Sequence, residues 1–234
     1  MTTPYSIFSL GDAAITIDLG CQIDRELNDR VIAMRDWFRE KPFTGIKELV
    51  VGYSSLTLYY DPLLILKKYQ PKTAHCWVKE KLKEAFDQTK DFKSFSGKTH
   101  RIPVCYDEEF GVDIKQVSEQ KKISIQDIIN THTSIPFRVY MIGFMPGFPY
   151  MGEVPEQLET PRKMKPQTVK AGGVGIAGKQ TGIYPFDSPG GWNIIGRTPL
   201  KMFDPDLKQP VWLEPGDSVE FYAISKEEFM SNEY

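Results

Sequence analysis

Between Arg138 and Asp206 the chain carries glycine and proline so densely that no long helix can survive there. The same stretch holds Phe144, Phe148, Tyr150, Tyr184, Phe186 and Trp192, together with Arg138, Arg162 and Arg197. A disordered linker would lack those aromatics, because it has no core to build. The stretch is therefore an ordered, turn-rich β region, with glycines where the backbone bends sharply or is closely approached. Of 18 glycines 14, and of 17 prolines 13, lie after residue 90, so the chain changes character near there. The polar run Asp91–Thr99 marks a hinge, and the prediction is two domains, 1–90 and 91–234.

The first ninety residues read as α+β. Ala14–Leu19 alternates, with Ile15, Ile17 and Leu19 on one face, which predicts a half-buried strand. Asp24 caps a helix whose Leu27, Val31, Met34 and Phe38 repeat at helical spacing, and Pro42 and Gly45 close it. Strands follow over Ile46–Tyr53 and Ser55–Tyr60, Asp61-Pro62 breaks the run, and a second helix covers about Ala74–Thr89. With a strand near His100–Tyr106, the order suggests a ferredoxin-like split βαβ unit acting as scaffold or docking surface. Beyond the hinge, Ser124 and Asp127 cap a short helix ending near His132. Short strands are expected at Arg138–Ile142, Gly173–Ala177 and Ser218–Ile224, joined by Gly/Pro turns, as in a barrel or sandwich. Lys226–Tyr234 is a polar tail or a short helix.

Composition bounds the function. Hydrophobic residues at 41% and charged residues at 26% are ordinary for a soluble globular protein, and a net charge of -2 gives no support for a nucleic-acid binder. Neither a signal peptide nor an apolar run long enough to cross a bilayer is visible, so the expectation is a cytoplasmic protein with no membrane partner. Cys21, Cys76 and Cys105 are scattered and read as reduced thiols. His75, His100 and His132 are not spaced as ligands, so no metal site is expected.

Two motifs mislead. Gly173-Val-Gly-Ile-Ala-Gly178-Lys179-Gln180 fits G-x-G-x-x-G, and it fits the phosphate-binding loop up to Gln180, which replaces Ser or Thr. Both need a helix next, whose N-terminal amides hold the anion, but Thr181-Gly182-Ile183-Tyr184-Pro185 continues as strand or turn. Both readings are rejected. His132 sits at a helix end, where it either titrates usefully or simply bonds to the last carbonyls. Arg162 and Arg197 lie in Pro/Gly-bounded loops, where each either binds a carboxylate or phosphate or braces a turn. Gly147-Phe148-Pro149-Tyr150 and Ser188-Pro189-Gly190-Gly191-Trp192 either wall a pocket or cap turns over a core. The residues alone give a binding cleft and no assignable chemistry.

A dense set of segments then carries a resemblance. It runs through His132-Thr133, Val139-Tyr140-Met141-Ile142-Gly143-Phe144, Pro146-Gly147-Phe148-Pro149-Tyr150 and Thr160-Pro161-Arg162. It continues through Val174-Gly175-Ile176-Ala177-Gly178, Gln180-Thr181-Gly182-Ile183-Tyr184-Pro185, Ser188-Pro189-Gly190-Gly191-Trp192 and Ile195-Gly196-Arg197-Thr198-Pro199. In these the chain resembles the family called allophanate hydrolase subunit 1, better described as the B-type subunits of 5-oxoprolinase. That family includes an inhibitor of a sporulation histidine kinase and is similar to part of the carboxyltransferase region of urea carboxylase. Asp107 and Glu108 stand where the family tends to have glycines.

The resemblance implies a small α+β domain followed by a mostly β, cyclophilin-like barrel. It also implies a C-type companion, a separate A-type companion, and ATP-dependent opening of the lactam of 5-oxoproline to L-glutamate. ATP with Mg2+ is expected to bind mainly with a partner, since no ATP loop is visible here. Residue chemistry at the matching positions suggests roles. Arg197 or Arg162 would hold the substrate carboxylate or a phosphate, His132 would shuttle a proton, and Gln180 would donate to a developing oxyanion. Gly147, Phe148, Tyr150, Tyr184, Gly190, Trp192 and Thr198 would shape the cleft. The alternative expectation is a regulatory protein that inhibits a sensor histidine kinase by docking on it. Prolyl isomerase is a third reading and rests on barrel analogy alone.

Overall fold

The computed structural model describes residues 4–20, 22–90 and 97–231, and contacts divide the chain into two compact units, Met1–Ser96 and Gly97–Tyr234. The expected hinge at Asp91–Thr99 falls mostly on residues 91–96, outside the described residues. The first unit runs β1 (Ser6–Ser9), β2 (Ala14–Asp18), α1 (Arg25–Glu40), β3 (Ile46–Val51), β4 (Ser55–Tyr60), α2 (Pro62–Tyr69) and α3 (Ala74–Gln88). Its sheet has the order β1-β2-β4-β3, antiparallel throughout. Ile15 and Ile17 of β2 lie opposite Leu58 and Leu56 of β4, and all four are fully buried with Val31, Met34 and Phe38 of α1 and Val78 and Leu82 of α3. Burial of such side chains contributes about 1.5–3 kcal/mol each, which fixes the helices on that face.

The split βαβ element is present as β2-α1-β3 with β4 inserted between the strands. The edge beside β2 is filled by β1, however, and the strand expected there, near His100–Tyr106, belongs to the second unit. Asp61-Pro62 is also no simple break. The Asp61 carboxylate accepts from the Leu64 amide at 3.0 Å and Pro62 occupies the first helical turn, so the pair starts α2.

The second unit contains β5 (Thr99–Cys105), α4 (Ile114–Lys121), α5 (Ile125–Thr133), β6 (Phe137–Ile142), β7 (Pro149–Gly152), β8 (Gln167–Val169), β9 (Gly173–Ala177), β10 (Gln180–Ile183), β11 (Ser188–Gly190), β12 (Asn193–Arg197), β13 (Ser218–Ile224) and α6 (Lys226–Ser231). Seven strands close a barrel in the order β10-β7-β6-β13-β5-β12-β9, and β9 returns to β10. β8 and β11 form a separate two-stranded ribbon. The barrel core is Ile102, Val104, Phe137, Val139, Met151, Val174, Ile176, Ile183, Ile195, Val219 and Phe221. Ser124 and Asp127 form a reciprocal capping box that starts α5, as expected from their spacing. Among the described residues no helix is long and apolar enough to cross a membrane.

Candidate functional site

Five expected cleft residues come together on one wall of the barrel, over Gly182 of β10 and Gly175 of β9. Tyr150 lies in β7, opposite Gly182 of β10, and Tyr184 follows directly after β10. Trp192 lies between β11 and β12, and Gly190 ends β11. The Phe148 ring is the hub, with centroids 4.8 Å from Tyr150, 5.0 Å from Tyr184 and 5.4 Å from Trp192. The last two contacts are edge-to-face, the arrangement that aromatic quadrupoles favour. Phe148 and Tyr184 are each 1% exposed and Trp192 is 5% exposed, whereas Tyr150 is only half-buried. The first three therefore form a floor, and Tyr150 is the ring that meets solvent.

Arg162 lies over this floor. A β-carbon on Gly191 would fall 2.8 Å from Arg162 Nε, and one on Gly190 would fall 2.5 Å from Tyr184 Oη. The two glycines thus let the ribbon pass directly beneath the arginine and the buried tyrosine. Burial raises the phenols of both Tyr150 and Tyr184, and the Arg162 charge acts on each in the opposite sense. The Trp192 amide, bonded to the Tyr184 oxygen, adds to that opposing effect.

The loop that presents Arg162 is tied down on both sides. Asn193 Nδ2 donates to the Pro161 carbonyl at 3.0 Å, and the Lys163 amide donates to the Gly191 carbonyl at 2.7 Å. Lys163 Nζ reaches Asp113 at 2.7 Å, with both side chains nearly buried, and Asp113 also accepts from the Ile194 amide at 2.7 Å. Sequence reasoning misses Asn193, Lys163 and Asp113. Asp113 meets Lys163 and Ile194 across separations of 50 and 81 residues, which no local pattern records.

The remaining expected residues lie elsewhere. Arg197 ends β12, five residues from Trp192, on the order of 16 Å along a strand. Its Nε donates to the Ala171 carbonyl at 2.7 Å, which is the turn-bracing role, and it borders a hollow of about 80 Å³ with Glu109, Phe110 and Lys170. Thr198 is buried beside it, its amide on the Gly172 carbonyl at 2.9 Å and its hydroxyl accepting from Leu200. Gln180 is nearer: it opens β10 opposite Ala177, two residues before Gly182 and so on the strand face that carries the Phe148 ring. Gly147 is buried with φ +82 and packs against Met202 and Phe203, supporting the turn into Phe148.

His132 corrects the proton-shuttle expectation, because the ring is wholly buried inside the barrel unit. The Thr181 hydroxyl donates to the Gly175 carbonyl at 3.1 Å, so its oxygen accepts from His132 Nε2 at 3.0 Å. Nδ1 is then left to accept from the Tyr106 hydroxyl at 2.7 Å. The ring also stacks on Phe221 at 4.6 Å. Burial lowers its pKa to about 3, so it stays neutral and its ring nitrogens are fully engaged. Both expected alternatives place its function at the helix end, but its hydrogen-bond partners are the side chains of Thr181 in β10 and Tyr106 just after β5.

The glycine-rich run folds as a hairpin. β9 ends at Ala177, Gly178 and Lys179 turn, and β10 begins at Gln180, so no helix N-terminus is available for phosphate. Asp107 and Glu108 sit in an exposed turn whose Asp107 carbonyl accepts from the Phe110 and Gly111 amides. Among the described residues no group of three His, Cys, Asp or Glu side chains is placed to hold a metal ion.

A family model described as carboxyltransferase domain, subdomain C and D, matches residues 5–213. The chain is 38% identical over 232 residues to the B-type subunit of 5-oxoprolinase from Bacillus subtilis (strain 168), covering 98% of this chain and 97% of that one. It is 41% identical over 177 residues to the corresponding 5-oxoprolinase subunit from Haemophilus influenzae, covering 75% and 78%. The crystal structure of TTHA0988 superposes with a TM-score of 0.78 at 31% identity over 94% of this chain, which spans 40% of that longer chain.

Proposed function

The chain belongs to the family of B-type 5-oxoprolinase subunits, within the carboxyltransferase subdomain C and D group, and from that premise we propose that it is one component of an ATP-dependent 5-oxoprolinase. The complex would open the lactam of 5-oxoproline to L-glutamate. The observation that carries this reading is the identity to the Bacillus subtilis protein over nearly the whole of both chains.

The chemistry sets a division of labour. A lactam carbonyl is a poor electrophile; phosphorylation of its oxygen by ATP, with release of ADP, activates the carbon. Water adds to it, and the C–N bond breaks with the nitrogen leaving as the amine. The ring thereby opens to an acyl phosphate, which a second water hydrolyses to the carboxylate and phosphate. In this reading ATP and Mg2+ bind mainly on the A-type and C-type companions. The hairpin at Gly178-Lys179 supports that assignment, since it offers none of the amide cradle that a triphosphate needs. This chain would supply the ordered aromatic face beneath Arg162, where a small ring and a charge are both accommodated. His132 serves the barrel interior through Tyr106 and Thr181, not proton transfer.

The test is ATP-dependent release of glutamate from 5-oxoproline by the co-purified companions, with this chain present or omitted. Loss of activity on omission supports the reading, and unchanged activity overturns it. The family's carboxyltransferase description favours a second reading, transfer of a carboxyl group from a biotin-bearing partner. Biotin-dependent carboxylation that requires this chain would put that reading first.

A further inference from the structure

Resting on the 5-oxoprolinase reading, we propose that Arg162 anchors the substrate carboxylate, with Tyr150 as the ring wall against which a small cyclic carboxylate packs. Arg162 is exposed, and among the described residues no carboxylate is paired with it. Its surroundings nonetheless hold it in place: the Asn193 bond to Pro161, the Lys163 amide on Gly191, and the nearly buried Lys163–Asp113 pair. A surface arginine that only kept the protein soluble would not need its loop fastened from three directions. A guanidinium fixed at its base and open at its tip is preorganised for two parallel bonds to an anion.

The choice of anion follows from what else is near. The adjacent Lys163 is already bonded to Asp113 and Gln167, so the cation next in the chain is not available to a polyphosphate. Farther along the barrel unit, Lys170 pairs with Asp187, Lys179 with Glu159, and Arg197 with the Ala171 carbonyl. The planar fork of an open guanidinium suits a carboxylate. The half-buried Tyr150 beside it is backed by Phe148 and Trp192, with ring centroids 4.8 and 5.9 Å away, so it is a firm apolar wall carrying one hydroxyl. A five-membered ring bearing a carboxylate matches that pair of features.

The same geometry decides between the two arginines. Arg197 already braces Ala171 and lies on the order of 16 Å along β12 from Trp192. It cannot hold the carboxylate of a small ring seated on Tyr150.

The experiment uses the assembled complex with wild-type, Arg162→Gln and Arg162→Lys chains. Saturation curves for 5-oxoproline and ATP are measured, together with inhibition by 2-pyrrolidinone, the same lactam without the carboxylate. The expected result for Arg162→Gln is a rise of roughly tenfold or more in the KM for 5-oxoproline, with unchanged KM for ATP and unchanged 2-pyrrolidinone inhibition. Arg162→Lys should fall between, because it keeps the charge and loses the planar fork. An unchanged KM for 5-oxoproline overturns the proposal, and a raised KM for ATP reassigns Arg162 to phosphate. If the wild-type complex does not turn over 5-oxoproline, the functional reading fails, and calorimetric titration with 5-oxoproline and with 2-pyrrolidinone decides the anchor separately. Carboxylate-dependent binding that disappears in Arg162→Gln upholds it, and equal binding of the two ligands, or none of either, overturns it.

Discussion

His132 shows how one side chain separates chemistry from packing. Its ring is neutral because burial lowers its pKa to about 3 from an ordinary 6.5. Above pH 6.5 neither the folded nor the unfolded chain holds a proton there. As pH falls through 6.5 the unfolded chain takes one up and the folded chain does not, so stability declines toward pH 3. The slope from this residue is at most about 1.4 kcal/mol per pH unit. His132→Gln should lower stability near pH 7 by roughly 1–3 kcal/mol, because the Tyr106 and Thr181 hydroxyls lose their shared partner. Urea unfolding from pH 7 to pH 4 should then show a shallower acid decline than the wild type, by about one proton. Equal slopes in the two proteins would mean that His132 does not titrate as its burial requires. In the sequence, His132 is visible as unusual but not as buried, since its partners Tyr106 and Thr181 are 26 and 49 residues away.

At the scale of elements, the ribbon β8–β11 is what lets the site exist. Gly190 ends β11 where a β-carbon would meet the Tyr184 ring at 2.5 Å from Oη and 2.7 Å from Cζ. Tyr184 is wholly buried and cannot swing aside, so Gly190→Ala forces the ribbon away from the floor. The expected cost is about 1–3 kcal/mol, the range for overpacking a filled interior. It should be read as a lower melting temperature, with Tyr184→Phe in the same chain recovering part of the loss by removing the nearest atom. A Gly190→Ala chain as stable as the wild type would show that the ribbon is not seated on Tyr184. Several elements are legible in the sequence because their signals are local: the spacing of Val31, Met34 and Phe38, the Ser124–Asp127 box, and β2 as a strand, although it is buried on the Thr16 face as well and is not the half-buried strand expected. The Gly173–Gln180 run is also legible as strand and turn with no helix after it, since the residues that follow lack helical character. Helix α2 hides behind an apparent break because Asp-Pro both ends strands and starts helices, and the apolar residues after it are largely exposed. Strand β5 is legible as a strand but not as a member of the barrel. Alternation tells which face of a strand is buried, not which neighbour it pairs with.

For the whole molecule, that misplaced strand is the key to how the second unit closes. β5 opens the unit and β13 nearly ends it, yet the two pair in parallel along their full length, from Ser218–Thr99 to Ile224–Cys105. Asp217 locks the start of this seam, accepting from the Lys98 amide at 2.9 Å, from the Glu214 amide at 3.0 Å, and bonding His100 Nε2 at 2.9 Å. On its other side β13 meets β6 only at Ser218 and Val219, so β13 is the single staple between β5 and β6. The carboxyltransferase family match stops at residue 213, before this strand begins. A chain ended after Leu213 would keep every residue of the Arg162 face but would leave Ile102 and Val104 of β5 and Phe137 and Val139 of β6 without Val219 and Phe221. Each lost large apolar contact of this kind costs on the order of 2–5 kcal/mol, against a total stability of about 5–15 kcal/mol for a typical domain. The truncated chain should therefore lose the fixed aromatic environment of the barrel, seen as loss of near-ultraviolet circular dichroism and of a cooperative melting transition from the second unit. If both persist, the barrel is held by its local hairpins, and the long-range β5–β13 seam is dispensable. If both vanish, the site at Arg162 depends on a strand that lies outside the family match and contributes no residue to the site itself.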